Sequence, residues 1–211
     1  MKSHIWIFFL VPLFNLLLIH ELQAQAWDFV KEKDGIRIYT RKEVNSSLKS
    51  FKGEATFHVE IDKVFHVLGD ATNFDWWDKD ISEIKVLFFE PGKNIKYYLV
   101  YDVPWPLSDR DLVVHSKIYT DPITGERTID ATPLLNVIPE KPGIVRIKNY
   151  WQKWRVQPME NGNVHVILEG FVDPGGSVPS WLYNMVITET PLKVIRSLRD
   201  RVMKGKTTRG S

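Results

Sequence analysis

The sequence predicts an α+β domain in which a curved antiparallel sheet is covered on one face by a long C-terminal helix. Three observations predict it. From Ile36 to Asp173 the chain runs as short, β-rich segments separated by turn signals. After Asp173-Pro174-Gly175-Gly176 the apolar period changes from two to about 3.6. The connectors between consecutive strands are of hairpin length, which makes those strands antiparallel neighbours.

Each element has its own signal. Ile36 to Thr40 alternates after Asp34-Gly35, and Phe51 to Val59 follows as a second strand. Asp62 is a candidate cap for a short helix through Val64, Phe65, Val67 and Leu68, ending near Gly69 or Asp70. Further strands are expected at 84–89, 95–103, 112–119, 127–132, 144–156 and 164–172, separated by segments rich in Pro, Gly, Asp and Asn. The last helix starts at Ser177 or Val178 and carries Trp181, Leu182, Met185, Leu192, Ile195, Leu198 and Val202 on its apolar stripe. Pro191 removes an internal hydrogen bond, so a kink or break is expected between Thr188 and Thr190.

The N-terminus reads as a secretory signal. Lys2 precedes an apolar run from Ile5 to Ile19, and Ala24-Gln25-Ala26 supplies small residues at peptidase spacing. A membrane anchor wants about 20 unbroken apolar residues, and this run is shorter and interrupted by Pro12 and Asn15. The expected organisation is a signal peptide over residues 1–26, one domain over 27–205 and a flexible tail over 206–211. Export to the periplasm or exterior follows from that reading.

The chain has no Cys, which excludes a disulfide framework and a lipidated N-terminal cysteine. A net charge of +2 argues against nucleic acid as a partner, which calls for a clustered basic face. Basic residues concentrate only at the end, in Arg196, Arg199, Arg201, Lys204, Lys206 and Arg209. They read first as a helix C-terminus complementing its own dipole, and second as a transient contact with anionic membrane.

One sheet face is unusually apolar. Ile95, Tyr97, Leu99, Tyr101 and Val103 occupy alternate positions, matched by Leu112 and Val114, with polar Ser116 next on that strand. Only the last helix is long and amphipathic enough to cover this face, and a helix about 10 Å across cannot fill a strongly curved sheet. The remaining volume is either packed with side chains or left for a ligand. Glu189 favours the ligand, because it falls on the helix stripe between Met185 and Leu192, where an unpaired carboxylate is costly.

Four motifs carry a family resemblance. They are Trp77-Asp78, Pro104-Trp105-Pro106-Leu107-Ser108-Asp109-Arg110-Asp111-Leu112, Val145 to Tyr150, and Asp173-Pro174-Gly175-Gly176-Ser177-Val178-Pro179-Ser180-Trp181-Leu182-Tyr183-Asn184. In this order and spacing, from Trp27 to Met203, the chain resembles the START (StAR-related lipid-transfer) family. The resemblance implies a helix-grip fold around a tunnel for one lipid, carried without chemistry, with Pro179-Ser180-Trp181 starting a helix able to swing as a lid.

The resemblance also bears on ligand identity. Phosphatidylcholine carriers of the family cage choline with aromatic rings, and the matching positions here are Leu99, Leu112 and Tyr150, with Phe74 and Asp75 where the phosphate-binding basic residue would stand. Animal sterol carriers place an arginine where this chain has Ser116. A weakly polar, largely apolar lipid remains: an acyl compound, an isoprenoid or a sterol-like molecule. The expected ligand-facing set is Trp77, Tyr97, Leu99, Tyr101, Arg110, Leu112, Val114, Ser116, Tyr150, Trp154, Trp181, Leu182, Met185, Glu189 and Leu192. The protein is expected to act as a monomer without cofactor or metal.

No catalytic motif competes with this reading. His58, His66, His115 and His165 lack metal spacing, nothing fixes a geometry for Asp70, Asp75, Asp78 and Asp80, and neither H-E-x-x-H nor G-x-S-x-G occurs. Arg110 with Asp109 or Asp111 reads as an ion pair anchoring the start of a strand. Two alternatives stand beside the carrier: an enzyme on the related cyclase and aromatase scaffold, and a ligand-sensing interaction module.

Overall fold

A computed structural model describes residues 26–44, 46–74, 76–77 and 80–204, with the side chain of Met185 outside that set. The signal sequence through Gln25, the tail from 206, and Asp75 and Asp78 therefore lie outside the described residues.

Ten strands form one sheet: β1 Asp28–Lys33, β2 Ile36–Lys42, β3 Lys49–Phe57, β4 Ile81–Glu90, β5 Asn94–Tyr101, β6 Asp109–Thr120, β7 Arg127–Pro133, β8 Ile144–Arg146, β9 Asn149–Pro158 and β10 Val164–Asp173. The spatial order is β1-β2-β3-β10-β9-β7-β6-β5-β4, antiparallel throughout, with β8 added in parallel to β6. Helix α1 spans Ile61–Leu68, α2 Ser180–Val186 and α3 Glu189–Lys204. With α3 on one face of a curved antiparallel sheet, this is the helix-grip architecture expected from the sequence.

The structure differs from the sequence reading in several places. Strand β1 was not anticipated, because DFVKEK is charged and largely exposed; its lysines suit a sheet edge. It turns into β2 through Asp34 (φ 54°) and Gly35 (φ 70°), the left-handed pair that a tight hairpin needs. The expected strand 144–156 is two strands, β8 and β9, that pair with different neighbours. Asp62 does not cap α1. It lies in the first turn and pairs with Arg127 at 2.5 Å, while Glu60 takes the cap position without a side-chain bond. The break expected near Thr188 to Thr190 is present, at Ile187-Thr188, with Pro191 in the first turn of α3, where a missing N–H costs no hydrogen bond.

Helix α3 packs mainly on β2, β3 and β10. Leu192, Ile195, Leu198 and Val202 bury there against Ile36, Ile38, Phe51, Val166 and Leu168. Gly53 on β3 permits the close approach: a Cβ there would meet Ile195 Cδ1 at 2.6 Å and Pro191 Cβ at 3.0 Å. The opposite face of β5 and β6 is not open to solvent. Tyr98, Val100 and Val113 are covered by Leu134 and Ile138, from the segment between β7 and β8, and by Ile144 of β8.

A buried clasp holds that segment. Arg146 of β8 donates to both carboxylate oxygens of Asp111 on β6, at 2.6 and 2.9 Å, and to the Ile138 carbonyl at 2.9 Å. Tyr98 donates to the same carboxylate at 3.1 Å. With its remaining donors turned to carbonyls, the pair meets the condition under which a buried ion pair is sustained.

Gly53→Ala is expected to lower the unfolding free energy by about 1–3 kcal/mol, the usual cost of an extra methyl in a filled contact. Urea unfolding followed by far-UV circular dichroism reads it, and an unchanged midpoint would show that α3 does not need the close approach.

Candidate lipid-binding site

The half of the concave face not covered by α3 is built by β5, β6 and β7. Ile95, Tyr97 and Leu99 of β5 pack with Leu112 and Val114 of β6, Ala131 of β7 and Ile147. The segment after α1 folds over them, bringing Ala71, Phe74 and Trp77 onto the sheet. Trp77 stands edge-on to Tyr97 at 5.4 Å and to Phe74 at 4.8 Å, the arrangement that ring quadrupoles favour.

Polar groups within this apolar surface are hydroxyls and one amide. Tyr97 is buried and hydrogen-bonded to Ser116, and burial pushes its hydroxyl from the ordinary 10 up to about 12, slightly offset by Ser116. Tyr150 donates to Gln152 Oε1 at 3.1 Å. Burial raises its pKa well above the usual value, with Tyr97 and Tyr101 adding to the shift. Tyr150 is half-buried and packs against the cluster from β9.

The predicted residues divide into three groups. Trp77, Tyr97, Leu99, Tyr101, Leu112, Val114 and Tyr150 come together in this cluster, with Ser116 bonded to it. Trp154 and Leu192 belong instead to the core beneath α3. Leu182 is half-buried on α2, and Met185 lies on the same helix.

Three expectations are corrected. Glu189 does not face the sheet: its side chain is 50% exposed and pairs with Lys31 of β1, which lowers its pKa chiefly through that hydrogen bond. The break at Ile187-Thr188 rotates it off the stripe that a continuous helix would have maintained. Trp181 is 70% exposed and points away from the interior. Arg110 is not an ion-pair anchor for the strand. It is buried, and it donates to the carbonyls of Ser108, Pro174 (3.3 Å) and Gly175 (3.4 Å). Gly175 and Gly176, at φ 64° and 63°, form the left-handed turn that presents the last two carbonyls. Asp111, its neighbour, points to the other face and takes Arg146 instead.

Sequence reasoning missed Gln152, Phe74, Ala131 and Ile147. Gln152 shares strand parity with Tyr150 and Trp154, so period-two counting along β9 could have found it.

The START domain family model matches residues 15–208. The chain belongs to the START domain family. It is 29% identical over 187 residues to the uncharacterized protein PA1579 of Pseudomonas aeruginosa, covering 86% of this chain and 89% of that one. It is 30% identical over 177 residues to the phosphatidylcholine transfer protein of Rattus norvegicus, covering 78% and 80%. The crystal structure of a STAR-related lipid transfer protein fragment from Xanthomonas axonopodis superposes with a TM-score of 0.76 at 32% identity, covering 84% of this chain and 98% of that one. Membership and these relatives support lipid binding and transport in general.

The tyrosines make a pH test. A hydroxyl whose pKa is raised on folding contributes stability that is intact below about pH 10 and lost as pH climbs toward 12. Each such tyrosine adds a slope of up to about 1.4 kcal/mol per pH unit in that window. Urea midpoints of wild type and Tyr97→Phe should therefore converge or cross between pH 10 and 12; parallel curves would place Tyr97 in contact with solvent.

Proposed function

We propose that this START domain holds one lipid against the β5–β6–β7 half of its concave face and carries it unaltered between membranes. The observation that carries the reading is the apolar cluster of β5, β6 and β7, set apart from the strands on which α3 packs and bearing the hydroxyls of Tyr97 and Tyr150. Apolar Leu99, Leu112 and Val114 suit an acyl or ring system, and Tyr97, Ser116, Tyr150 and Gln152 suit a small polar end. Leu99 and Leu112 stand where a choline cage would need aromatic rings, so a weakly polar lipid is favoured over phosphatidylcholine.

Transport without chemistry is supported by what the polar residues do. Tyr97 and Tyr150 are held protonated at neutral pH, which makes them hydrogen-bond donors and poor bases. Arg110 spends its donors on turn carbonyls, and Glu189 faces outward to Lys31.

Membrane contact is assigned to exposed aromatics near one end of the domain. Trp105 is 91% exposed in the β5–β6 connection and Trp181 is 70% exposed on α2. Arg110 ties those two segments together by bridging Ser108 to Pro174 and Gly175. Exposed tryptophans prefer the interfacial layer of a bilayer. The basic tail is a weaker candidate, because Arg196 and Arg199 are bound to Asp34.

Native mass spectrometry of protein recovered from its host is expected to find one lipid per chain, other than phosphatidylcholine. A chain that carries none and displaces no fluorescent lipid would defeat the carrier reading, while bound phosphatidylcholine would defeat only the ligand preference. Trp105→Ala with Trp181→Ala should slow transfer between vesicles about tenfold with equilibrium binding retained; an unchanged rate removes these residues from the membrane step.

Export is proposed from the N-terminal sequence. Edman sequencing of material from the periplasm or medium should begin at Trp27, and a product retained in the membrane with Met1 intact would replace the signal by an anchor.

A further inference from the structure

Away from the concave face, a groove of about 620 Å³ opens between α1 and the last turn of α3. Lys63, His66 and Val67 line it from one face of α1, Asp70, Asn73 and Trp76 from the segment that follows, and Arg201 to Lys204 from α3. Its volume is that of an ordinary small-molecule site.

The hydrogen-bonding inventory of this groove is lopsided. Its two carboxylates are already engaged: Asp62 with Arg127 at 2.5 Å, and Asp70 with the Thr72 amide at 2.9 Å and hydroxyl at 2.6 Å. Among the described residues, no carboxylate pairs with Lys63, His66 or Lys204. Trp76 is 8% exposed, and its indole Nε1–H, a group that can only donate, is buried with no acceptor. A buried donor left unpaired is a standing cost that an acceptor oxygen would remove. The rest of the wall is apolar, made by Val67, Val202, Met203 and the Trp76 ring.

We propose that this groove is a second ligand site, for an amphiphilic anion: an alkyl chain ending in a phosphate or carboxylate. Its oxygens sit between Lys63 on α1 and Lys204 on α3, and its chain lies along Val67, Val202 and Met203; the Trp76 indole N–H, which presents no surface to the groove in this structure, reaches an oxygen through a small shift of the ring. The site is separate from the concave one, with a wall of aromatic rings between them. Trp76 packs edge-on against Trp77 at 5.9 Å, and Trp77 against Tyr97 at 5.4 Å. Consecutive tryptophans thus serve two compartments, Trp76 the groove and Trp77 the sheet.

The test uses the indole 1H–15N resonance of Trp76, assigned by its loss in Trp76→Phe. Octyl phosphate, octanoate, octanol and inorganic phosphate are titrated separately into the full chain. Octyl phosphate and octanoate are expected to move the resonance, with octanol and inorganic phosphate needing about tenfold more ligand. Lys63→Gln combined with Lys204→Gln should weaken octyl phosphate about tenfold while leaving octanol unchanged. The proposal falls if none of the four moves the Trp76 signal, if octanol or inorganic phosphate matches octyl phosphate, or if the lysine variants bind as wild type. It also falls if the amphiphile moves the Gln152 amide and leaves Trp76 in place, because the anion would then occupy the concave face. Failure in any of these ways leaves lipid carriage on the concave face untouched.

Discussion

The width of the sheet is the constraint on which the rest of the structure depends. Nine strands in one path, at about 4.8 Å between neighbours, span roughly 40 Å even before curvature. One helix covers about 10 Å of that. Helix α3 therefore settles where its apolar stripe is best matched, on β2, β3 and β10, and leaves β5, β6 and β7 to find another cover. The segment carrying Phe74 and Trp77 supplies part of it, in loop conformation, with side chains that need not fill the space as a helix ridge would. The proposed lipid position is thus a consequence of geometry: too much apolar sheet for the helices available.

Adjacent residues on β6 show how the two faces are secured differently. Arg110 turns to the concave side and is satisfied by carbonyls of the turn that launches α2. Asp111 turns to the convex side and is satisfied by Arg146, which brings the 134–144 segment down as a second layer. Both charges are buried, and both bind pieces of chain distant in sequence, so one dipeptide fastens the start of the terminal helices and the back of the sheet. The sequence reading paired Arg110 with one of its chain neighbours, Asp109 or Asp111. A strand's alternation forbids that, since successive side chains leave opposite faces.

Much of the architecture was legible because period-two and 3.6-residue patterns are local properties. The apolar stripe of β5, the turn at Asp173 to Gly176 and the break near Pro191 follow from neighbouring residues alone, and the family motifs added the topology. What was not legible depended on partners. Charged β1 has no pattern of its own and is a strand because β2 offers an edge. Tyr97 to Tyr101 is a continuous apolar run, a signal for burial on both faces, but nothing local says that residues 134–144 cover the far side. Glu189 was misplaced for the same reason: its direction depends on how far the chain turns at Ile187-Thr188, which the helical period cannot report.

That break also separates two helices held by different kinds of bond. α3 is fixed by buried aliphatic side chains. α2 is tethered mostly by polar contacts to the β2–β3 connection: Ser180 with Ser47, Asn184 with the Lys49 amide and Ser47 carbonyl, and the Tyr183 hydroxyl with the Lys49 carbonyl. Water can replace such contacts one for one, whereas it cannot replace buried methyl groups. Amide protons of α2 are accordingly expected to exchange faster than those of α3, so local opening of that one turn-and-a-half of helix costs less than opening the aliphatic contact behind it.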